Sequence, residues 1–129
     1  MSVPGAPGAG GGPAPTIRYE QALGPQPKLV AENGIAIAFK EGQTTWSIGR
    51  EDPVSSVFPD IDLTPFDPEY TASRRHAQIT ISGAQAFLTS VTRTNWTKLN
   101  GQRMVPDQPA PIKAGDRIEF AKVVLIFQM

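Results

Sequence analysis

From position 28 onward, short stretches of the chain alternate apolar and polar residues, and turn-forming residues separate these stretches. A period of two is the pattern of a β-strand that buries one face, whereas an amphipathic helix repeats every three to four residues. Prolines at positions 53, 59, 65, 68, 106, 109 and 111 also interrupt most segments that could otherwise form a helix. The sequence therefore predicts an all-β sandwich for residues 28–129.

Two dipeptides predict β-hairpins. Asn33-Gly34 is the stronger signal, because both residues tolerate a positive φ, and Ser82-Gly83 separates a second pair of alternating stretches. The last predicted strand is apolar on both faces, which favours a central position in its sheet. The predicted strands are Leu29–Glu32, Ile35–Phe39, Thr45–Ile48, Ile61–Leu63, His76–Ile81, Gln85–Val91, Arg117–Phe120 and Val123–Phe127.

The first 27 residues have a different composition. They hold six of the 12 glycines and six of the 13 prolines, and they have too few apolar residues to offset the entropy lost on ordering. We expect a disordered tail that acts as a linker and has no binding role of its own. Thr16 is the only threonine in this tail.

Charge and residue usage disfavour several classes of function. Twelve lysines and arginines balance 12 aspartates and glutamates, so no overall field favours nucleic acid or a membrane surface. The chain has no cysteine and a single histidine, so it lacks the ligands of a thiolate or multi-histidine metal site, and we expect no metal or cofactor. No apolar run approaches the roughly 18 residues of a membrane-spanning helix. We expect a cytoplasmic protein.

Two loop residues have side chains suited to holding a phosphate. Arg50 ends the stretch Ser47–Arg50 (SIGR), and Ser73 begins the stretch Ser73–Ala77 (SRRHA). Arginine offers a planar fork of donors that matches phosphate oxygens, and a serine hydroxyl with nearby backbone N–H groups can complete the site. These two residues predict a phosphate-binding site.

Three loop motifs, taken together, resemble one protein family. They are Ile48–Arg50 (IGR), Ser73–Ala77 (SRRHA) and Thr94–Gly101 (TNWTKLNG), and they are accompanied by Asp60–Leu63 (DIDL) and Gly115–Ile118 (GDRI). In this order and spacing they resemble the forkhead-associated (FHA) domain of the small bacterial type, over residues 28–129. The resemblance implies an eleven-stranded β-sandwich whose loops at one end bind a phosphothreonine within a partner's peptide segment. It implies a binding module and not an enzyme.

The resemblance also implies roles for the matched positions. Arg50 is expected to contact the phosphate, and Gly49 before it is expected to let the backbone turn tightly. Ser73 matches the serine whose hydroxyl binds the phosphate, and Arg74 matches the next position, which often adds a contact. Arg75 is expected to face solvent, and it is not predicted to be a ligand.

In the third loop, Asn95 matches the asparagine that binds the peptide backbone, and Thr94 shapes or contacts the same site. The family usually has glycine next, where this chain has Trp96. We therefore expect another backbone path there, with the Trp96 ring either facing the peptide or packing against a strand. His76 is expected to brace the serine loop by hydrogen bonding. Trp46, on a predicted strand, is expected in the core.

In this family, loop side chains near the serine motif usually select the residue three places after the phosphothreonine. Thr71 and Ala72 occupy that neighbourhood here. Neither is charged, so we expect no strong preference for an acidic residue at that position of the peptide.

The partner implied by the resemblance is a phosphothreonine-containing protein or peptide, recruited or regulated in Ser/Thr kinase signalling. A phosphorylated Thr16 in the chain's own tail is a second possible ligand. The main alternative is a β-sandwich that binds an unmodified protein and keeps a vestigial phosphate site. An enzyme with Asp60, Asp62 and His76 as acid and base has no support from their spacing, and the balanced charge disfavours a nucleic-acid-binding barrel.

Overall fold

The computed structural model describes residues 26–129, and within them it confirms the predicted eleven-stranded, all-β fold. None of the helices in this part of the chain has the length and apolar character needed to cross a membrane. Thr16 and the predicted tail, apart from its last two residues, lie outside the described residues. The strands are β1 (Lys28–Ala31), β2 (Ala36–Ala38), β3 (Thr45–Gly49), β4 (Ile61–Asp62), β5 (Ala77–Ser82), β6 (Gln85–Ser90), β7 (Thr97–Leu99), β8 (Gln102–Arg103), β9 (Ala110–Ile112), β10 (Arg117–Phe120) and β11 (Val123–Gln128), and short 3-10 helices cover Pro53–Ser55 and Thr64–Phe66.

The strands form two sheets, with the orders β2-β1-β11-β10-β7-β8 and β4-β3-β5-β6-β9. Neighbouring strands are antiparallel, except that β3 and β4 run parallel. Both predicted hairpins form, the first around Gly34 at φ 88° and the second around Gly83 at φ 62°. The apolar strand β11 lies between β1 and β10, which is the central position that its sequence predicted.

Three strands, β7, β8 and β9, were not predicted from the alternation. They contain three, two and three residues and no clear alternation extends beyond them, whereas the equally short β2 and β4 lie within longer alternating stretches; β9 also includes Pro111. Strand β7 lies within the third motif, and because it begins at Thr97 it fixes the end of the loop that carries Thr94 and Asn95. It pairs with β10, with Thr97 opposite Phe120.

The core lies between the two sheets. Ile79 and Leu88 from one sheet and Phe120 and Leu125 from the other are fully buried. Trp46 belongs to this core, as predicted, and its Nε1 donates a hydrogen bond to the carbonyl oxygen of Lys40 at 2.8 Å. The loops at the end of the sandwich are therefore attached to a continuous apolar core.

Gly49 marks the place where the end of β3 approaches the serine loop most closely. A Cβ atom at this position would lie 1.9 Å from the carbonyl oxygen of Arg74. The next residue, Arg50, donates its backbone N–H to the carbonyl oxygens of Ser73 at 3.1 Å and Arg74 at 3.2 Å. Gly49 is not among the residues with a positive φ. Close backbone approach, and not the tight turn expected from the sequence, is therefore what requires glycine here.

His76 joins the serine loop to the third loop from a fully buried position. Its Nδ1 accepts a hydrogen bond from the backbone N–H of Ser73 at 3.0 Å, and its Nε2 lies 2.8 Å from the carbonyl oxygen of Trp96. With Nδ1 an acceptor, the ring is neutral and carries its proton on Nε2. Burial lowers the pKa of His76 below its ordinary value of 6.5, and the bond to Trp96 opposes that shift only in part. These are contacts of the kind that the expected bracing role requires.

Replacement of Gly49 by alanine should destabilise the fold, because the added methyl group has to displace a backbone carbonyl. We expect Gly49→Ala to lower the free energy of unfolding by roughly 1–3 kcal/mol, the usual cost of overpacking. Urea denaturation would measure it. Gly42→Ala separates the two causes, because a Cβ at Gly42 meets nothing within 4 Å and any loss of stability there comes from the strain of a side chain at φ 86°. An unchanged denaturation midpoint for Gly49→Ala would contradict the close approach.

Stability should fall as the pH drops below about 6.5, because the unfolded chain then protonates His76 while the folded chain resists. The free energy of unfolding should keep falling until the pH reaches the lowered pKa of folded His76, by at most about 1.4 kcal/mol per pH unit. Denaturant unfolding between pH 7.5 and 5 measures it. The carboxylates with lowered pKa values act at more acidic pH, because their ordinary pKa is 3.8; they are Asp52, Asp60, Asp62, Asp67 and Asp116.

His76→Gln is the control for this prediction, because glutamine does not titrate. This variant should be less stable than the natural chain at pH 7.5, and its stability should change little between pH 7.5 and 5. If both proteins lost stability equally over that range, another group would be responsible.

Candidate functional site

A cleft of about 650 Å³ opens at one end of the sandwich, where the loops after β3, before β5 and after β6 meet. Four arginines line it, and no aspartate or glutamate does. A concave surface lined by charge of one sign concentrates the field and attracts the opposite charge. The cleft is therefore suited to an anion; its arginines are Arg50, Arg74, Arg75 and Arg93.

Arg50 is held in place on two sides. Its Nε donates a hydrogen bond to the carbonyl oxygen of Ala72 at 3.1 Å, and its Cζ lies 5.6 Å from the centre of the Tyr70 ring, within the range of a cation–π contact. Among residues 26–129, no partner hydrogen-bonds its two terminal nitrogens. The planar end of the guanidinium is therefore oriented in advance and can donate to a ligand.

Asp67 organises the segment that Arg50 contacts. This buried carboxylate accepts hydrogen bonds from the backbone N–H of Thr71 at 2.8 Å, the Thr71 hydroxyl at 2.9 Å and the backbone N–H of Ala72 at 2.8 Å. Burial alone would raise the pKa of Asp67, but these bonds and the charge of Arg50 outweigh it and lower the pKa. The sequence analysis gave Asp67 no role. Its position four residues before Thr71, in a proline-rich loop, is the signal that could have indicated a loop-ordering aspartate.

Ser73 lies in the cleft wall, as predicted, and its hydroxyl has a neighbour that the sequence did not reveal. Its Oγ is 2.9 Å from Oγ1 of Thr92, which is buried and follows β6. Each hydroxyl has one donor and two acceptor positions, so Ser73 can bind Thr92 and a ligand at the same time. Thr92 is in turn fixed by its backbone N–H, which donates to the carbonyl oxygen of His76 at 3.1 Å.

Arg74 also lines the cleft, but it is already paired. Its Nη1 donates to Asp52 Oδ2 and to Ser55 Oγ, both at 2.9 Å. The hydrogen bond from Arg74 is the main cause of the lowered pKa of Asp52. Binding of a phosphate by Arg74 remains a prediction, and it would have to compete with Asp52 or use another nitrogen.

Thr94 and Asn95 complete the cleft. Thr94 is exposed and its side chain makes no hydrogen bond within residues 26–129. The Asn95 amide, by contrast, is occupied: Nδ2 donates to the carbonyl oxygen of Thr71, and Oδ1 accepts from the backbone N–H of Trp96 at 2.9 Å. Asn95 thus connects two loops in the structure. Its predicted contact with a peptide backbone would require exchange of one of these bonds.

Trp96 does not line the cleft. It is not among the residues with a positive φ, so the backbone follows a path that does not require glycine there. Its carbonyl oxygen receives Ala121 N–H at 3.1 Å as well as the His76 ring. The indole is partly buried, its Nε1 has no hydrogen-bond partner within the described chain, and Lys98 Nζ lies 6.0 Å from the ring. Of the two expected placements, packing within the fold is the one observed.

The carboxylates considered as acid and base have structural partners. Asp60 accepts hydrogen bonds from the backbone N–H and hydroxyl of Ser47, and Asp62 accepts from Thr64 and from the backbone N–H of Glu51. Although burial raises the pKa of each, the hydrogen bonds prevail and lower it. Both carboxylates therefore stay ionised and order loops. Within residues 26–129, no group of three or more histidines, cysteines and acidic residues could hold a metal ion.

Comparisons with known proteins agree with this geometry. The FHA domain model matches residues 46–121. The protein FraH of Nostoc sp. is 30% identical over 74 residues, which are 57% of this chain and 26% of FraH, so the chain spans about a quarter of that relative.

Two solved structures share the fold. One, from work on phosphothreonine-dependent FHA domain interactions, is 26% identical with a TM-score of 0.62, and the match covers 81% of this chain and 97% of the other. The second is the FhaA FHA domain complexed with the intracellular domain of Rv3910, at 25% identity and a TM-score of 0.61, covering 79% and 99%. The family model matches more than half of the chain, and it includes the loops that carry Arg50, Ser73 and Asn95. The chain belongs to the FHA domain family.

Proposed function

We propose that this chain binds phosphothreonine in a segment of a partner protein and performs no catalysis. The observation that supports this best is the cleft, where the free end of the Arg50 guanidinium and the Ser73 hydroxyl meet in a wall without carboxylates. Work on a similar FHA structure concerns phosphothreonine-dependent interactions. The same recognition chemistry would serve here.

Phosphothreonine carries nearly two negative charges and three strong acceptor oxygens at neutral pH. The terminal nitrogens of Arg50 would donate to two of these oxygens, and the Ser73 hydroxyl would donate to the third. Arg74 and Arg75 would add positive potential from the wall. Affinity should follow the second ionisation of the phosphate, which has a pKa near 6, because the second negative charge strengthens attraction to the arginines.

The biological setting of this binding is also a proposal. A module of this kind would recruit or regulate partners after a Ser/Thr kinase has modified them, in the cytoplasm. The same cleft could accept phosphorylated Thr16 of the chain's own N-terminal segment. That segment would then compete with the partner's phosphothreonine for the cleft. The balanced charge of the chain supports neither nucleic acid nor a membrane surface as the partner.

Loss of Arg50 should remove most phosphate-dependent affinity. Arg50→Ala deletes two charge-assisted hydrogen bonds of about 1.5–3 kcal/mol each, so we expect the dissociation constant of the phosphothreonine peptide to rise at least about 100-fold. Calorimetric titration with matched phosphothreonine, phosphoserine and unmodified peptides, at one fixed salt concentration, measures this. Arg103→Ala is the control: it removes the same charge from an exposed edge strand outside the cleft, and it should bind like the natural chain.

Equal binding of the phosphothreonine and unmodified peptides by the natural chain would count against the proposal. That result would favour the alternative, a β-sandwich that binds an unmodified protein surface and has a vestigial phosphate site.

Asp67 should support this affinity without touching the ligand. Asp67→Asn places an NH₂ group or a weaker acceptor opposite the N–H groups of Thr71 and Ala72, so we expect a loss of roughly 1–3 kcal/mol in unfolding free energy and weaker phosphopeptide binding. Asp60→Asn is the control, because Asp60 also accepts loop hydrogen bonds, but from Ser47, which does not line the cleft, whereas Thr71 and Ala72 do. The two variants should be similarly destabilised, with weaker binding only for Asp67→Asn. Unchanged affinity for Asp67→Asn, measured where it is fully folded, would exclude this role.

A further inference from the structure

A second groove adjoins the arginine-lined cleft. Its volume is about 440 Å³, and it runs between the segment before β4 and the start of β5. The cleft and the groove share lining residues, so they form one continuous surface across a common wall. The shared residues are Val57, Arg74, Arg75 and Val91.

Arg75 is the free charge at this junction. Arg74 is paired with Asp52, and Arg93 is paired with Asp107, whereas the exposed side chain of Arg75 has no hydrogen bond or ion pair within residues 26–129. The sequence analysis expected Arg75 to face solvent, which it does, and assigned it no ligand. Arg75 lies between the cleft and the groove, and no carboxylate of the described chain neutralises its charge. It can therefore pair with an anionic side chain of a bound ligand.

Phe58 supplies the apolar part of the groove. It lies in the loop before β4, and its side chain is 64% exposed beside buried Val57. Covering an exposed aromatic ring removes a large apolar area from water, so a ring beside a concavity can contribute to holding a ligand there. The groove therefore combines one unpaired cation with one uncovered aromatic ring.

A peptide held at the cleft has to continue past one of its walls. Because Arg74 and Arg75 follow Ser73 directly, a chain whose phosphothreonine lies at Ser73 reaches the groove within a few extended residues. Thr71 and Ala72 line the cleft but not the groove, so this surface is separate from the neighbourhood linked to the third residue after the phosphothreonine. The groove is thus suited to a different flanking residue of the ligand.

We propose that the groove is a second subsite for the phosphothreonine ligand, which reads an acidic side chain at Arg75 and an apolar side chain against Phe58. This inference rests on the proposed phosphothreonine function. It adds a selectivity that the phosphate contacts lack, because Arg50 and Ser73 would hold the phosphate whatever residues flank the phosphothreonine. A partner that satisfies both subsites carries a phosphothreonine flanked, a few residues away, by a carboxylate and a large apolar residue.

A panel of phosphopeptides tests the subsite. Each peptide has one phosphothreonine in an alanine background, and single positions from four residues before to four after it carry glutamate or leucine. Fluorescence anisotropy gives affinities for the natural chain, Arg75→Ala, Phe58→Ala and the charge control Arg103→Ala. All three substituted side chains are exposed, and circular dichroism would verify the folds.

We expect one position at which glutamate tightens binding to the natural chain and to Arg103→Ala by about two- to fivefold, the range of an exposed ion pair, with that gain lost in Arg75→Ala. A nearby position should show a gain from leucine that is lost in Phe58→Ala. The coupling between peptide and protein substitutions is the readout, so a uniform loss of affinity does not mimic it.

The outcomes separate this inference from the function on which it rests. If the natural chain binds the phosphorylated alanine peptide and not the unmodified peptide, the phosphate site is active. In that case, absence of coupling to Arg75 and Phe58 at every peptide position overturns the subsite alone. If phosphorylation makes no difference to the natural chain, both proposals fail.

Discussion

The neutral imidazole of His76 is the contact on which the rest of the site depends. It is fully buried, and both ring nitrogens have partners, Ser73 on one side and Trp96 on the other. A buried ring with one unsatisfied nitrogen would be costly, so the two loops are constrained together and not one at a time. Through this single residue, the segment that carries Ser73 is positioned against the segment that carries Asn95.

Much of the fold could be predicted because the alternation is a local signal that tertiary packing also satisfies. The hairpin at Asn33-Gly34 and the central position of β11 followed from residues next to each other in the sequence. Strands β7, β8 and β9 did not, because two or three residues carry too little pattern, and their pairing is decided by neighbours far along the chain. The fold class could therefore be predicted from the sequence, whereas strands β7, β8 and β9 could not.

The site divides in the same way. Arg50 and Ser73, which their loop motifs singled out, lie in one cleft, and their predicted contacts with a phosphate stay a prediction. The contacts that organise them were hidden: Asp67 and Thr92 act through hydrogen bonds that no spacing rule anticipates. The pairing of Arg74 joins residues 22 positions apart and depends on how a 3-10 turn folds back. Long-range electrostatic partners are set by the assembled loops, so the sequence alone did not indicate them.

The bond between the Asn95 amide and the Thr71 carbonyl joins two loops that line the cleft, and this has a consequence for what the cleft could distinguish. A ligand that offers its own backbone carbonyl replaces one such bond with another at little net cost. A free phosphate or a small anion has no such carbonyl to offer Asn95. It would leave the bond between Asn95 and Thr71 intact, and its affinity would come only from the arginines. By this exchange the amide would add little net affinity for either kind of ligand, so a preference for a peptide over free phosphate would have to come from the other contacts of the peptide.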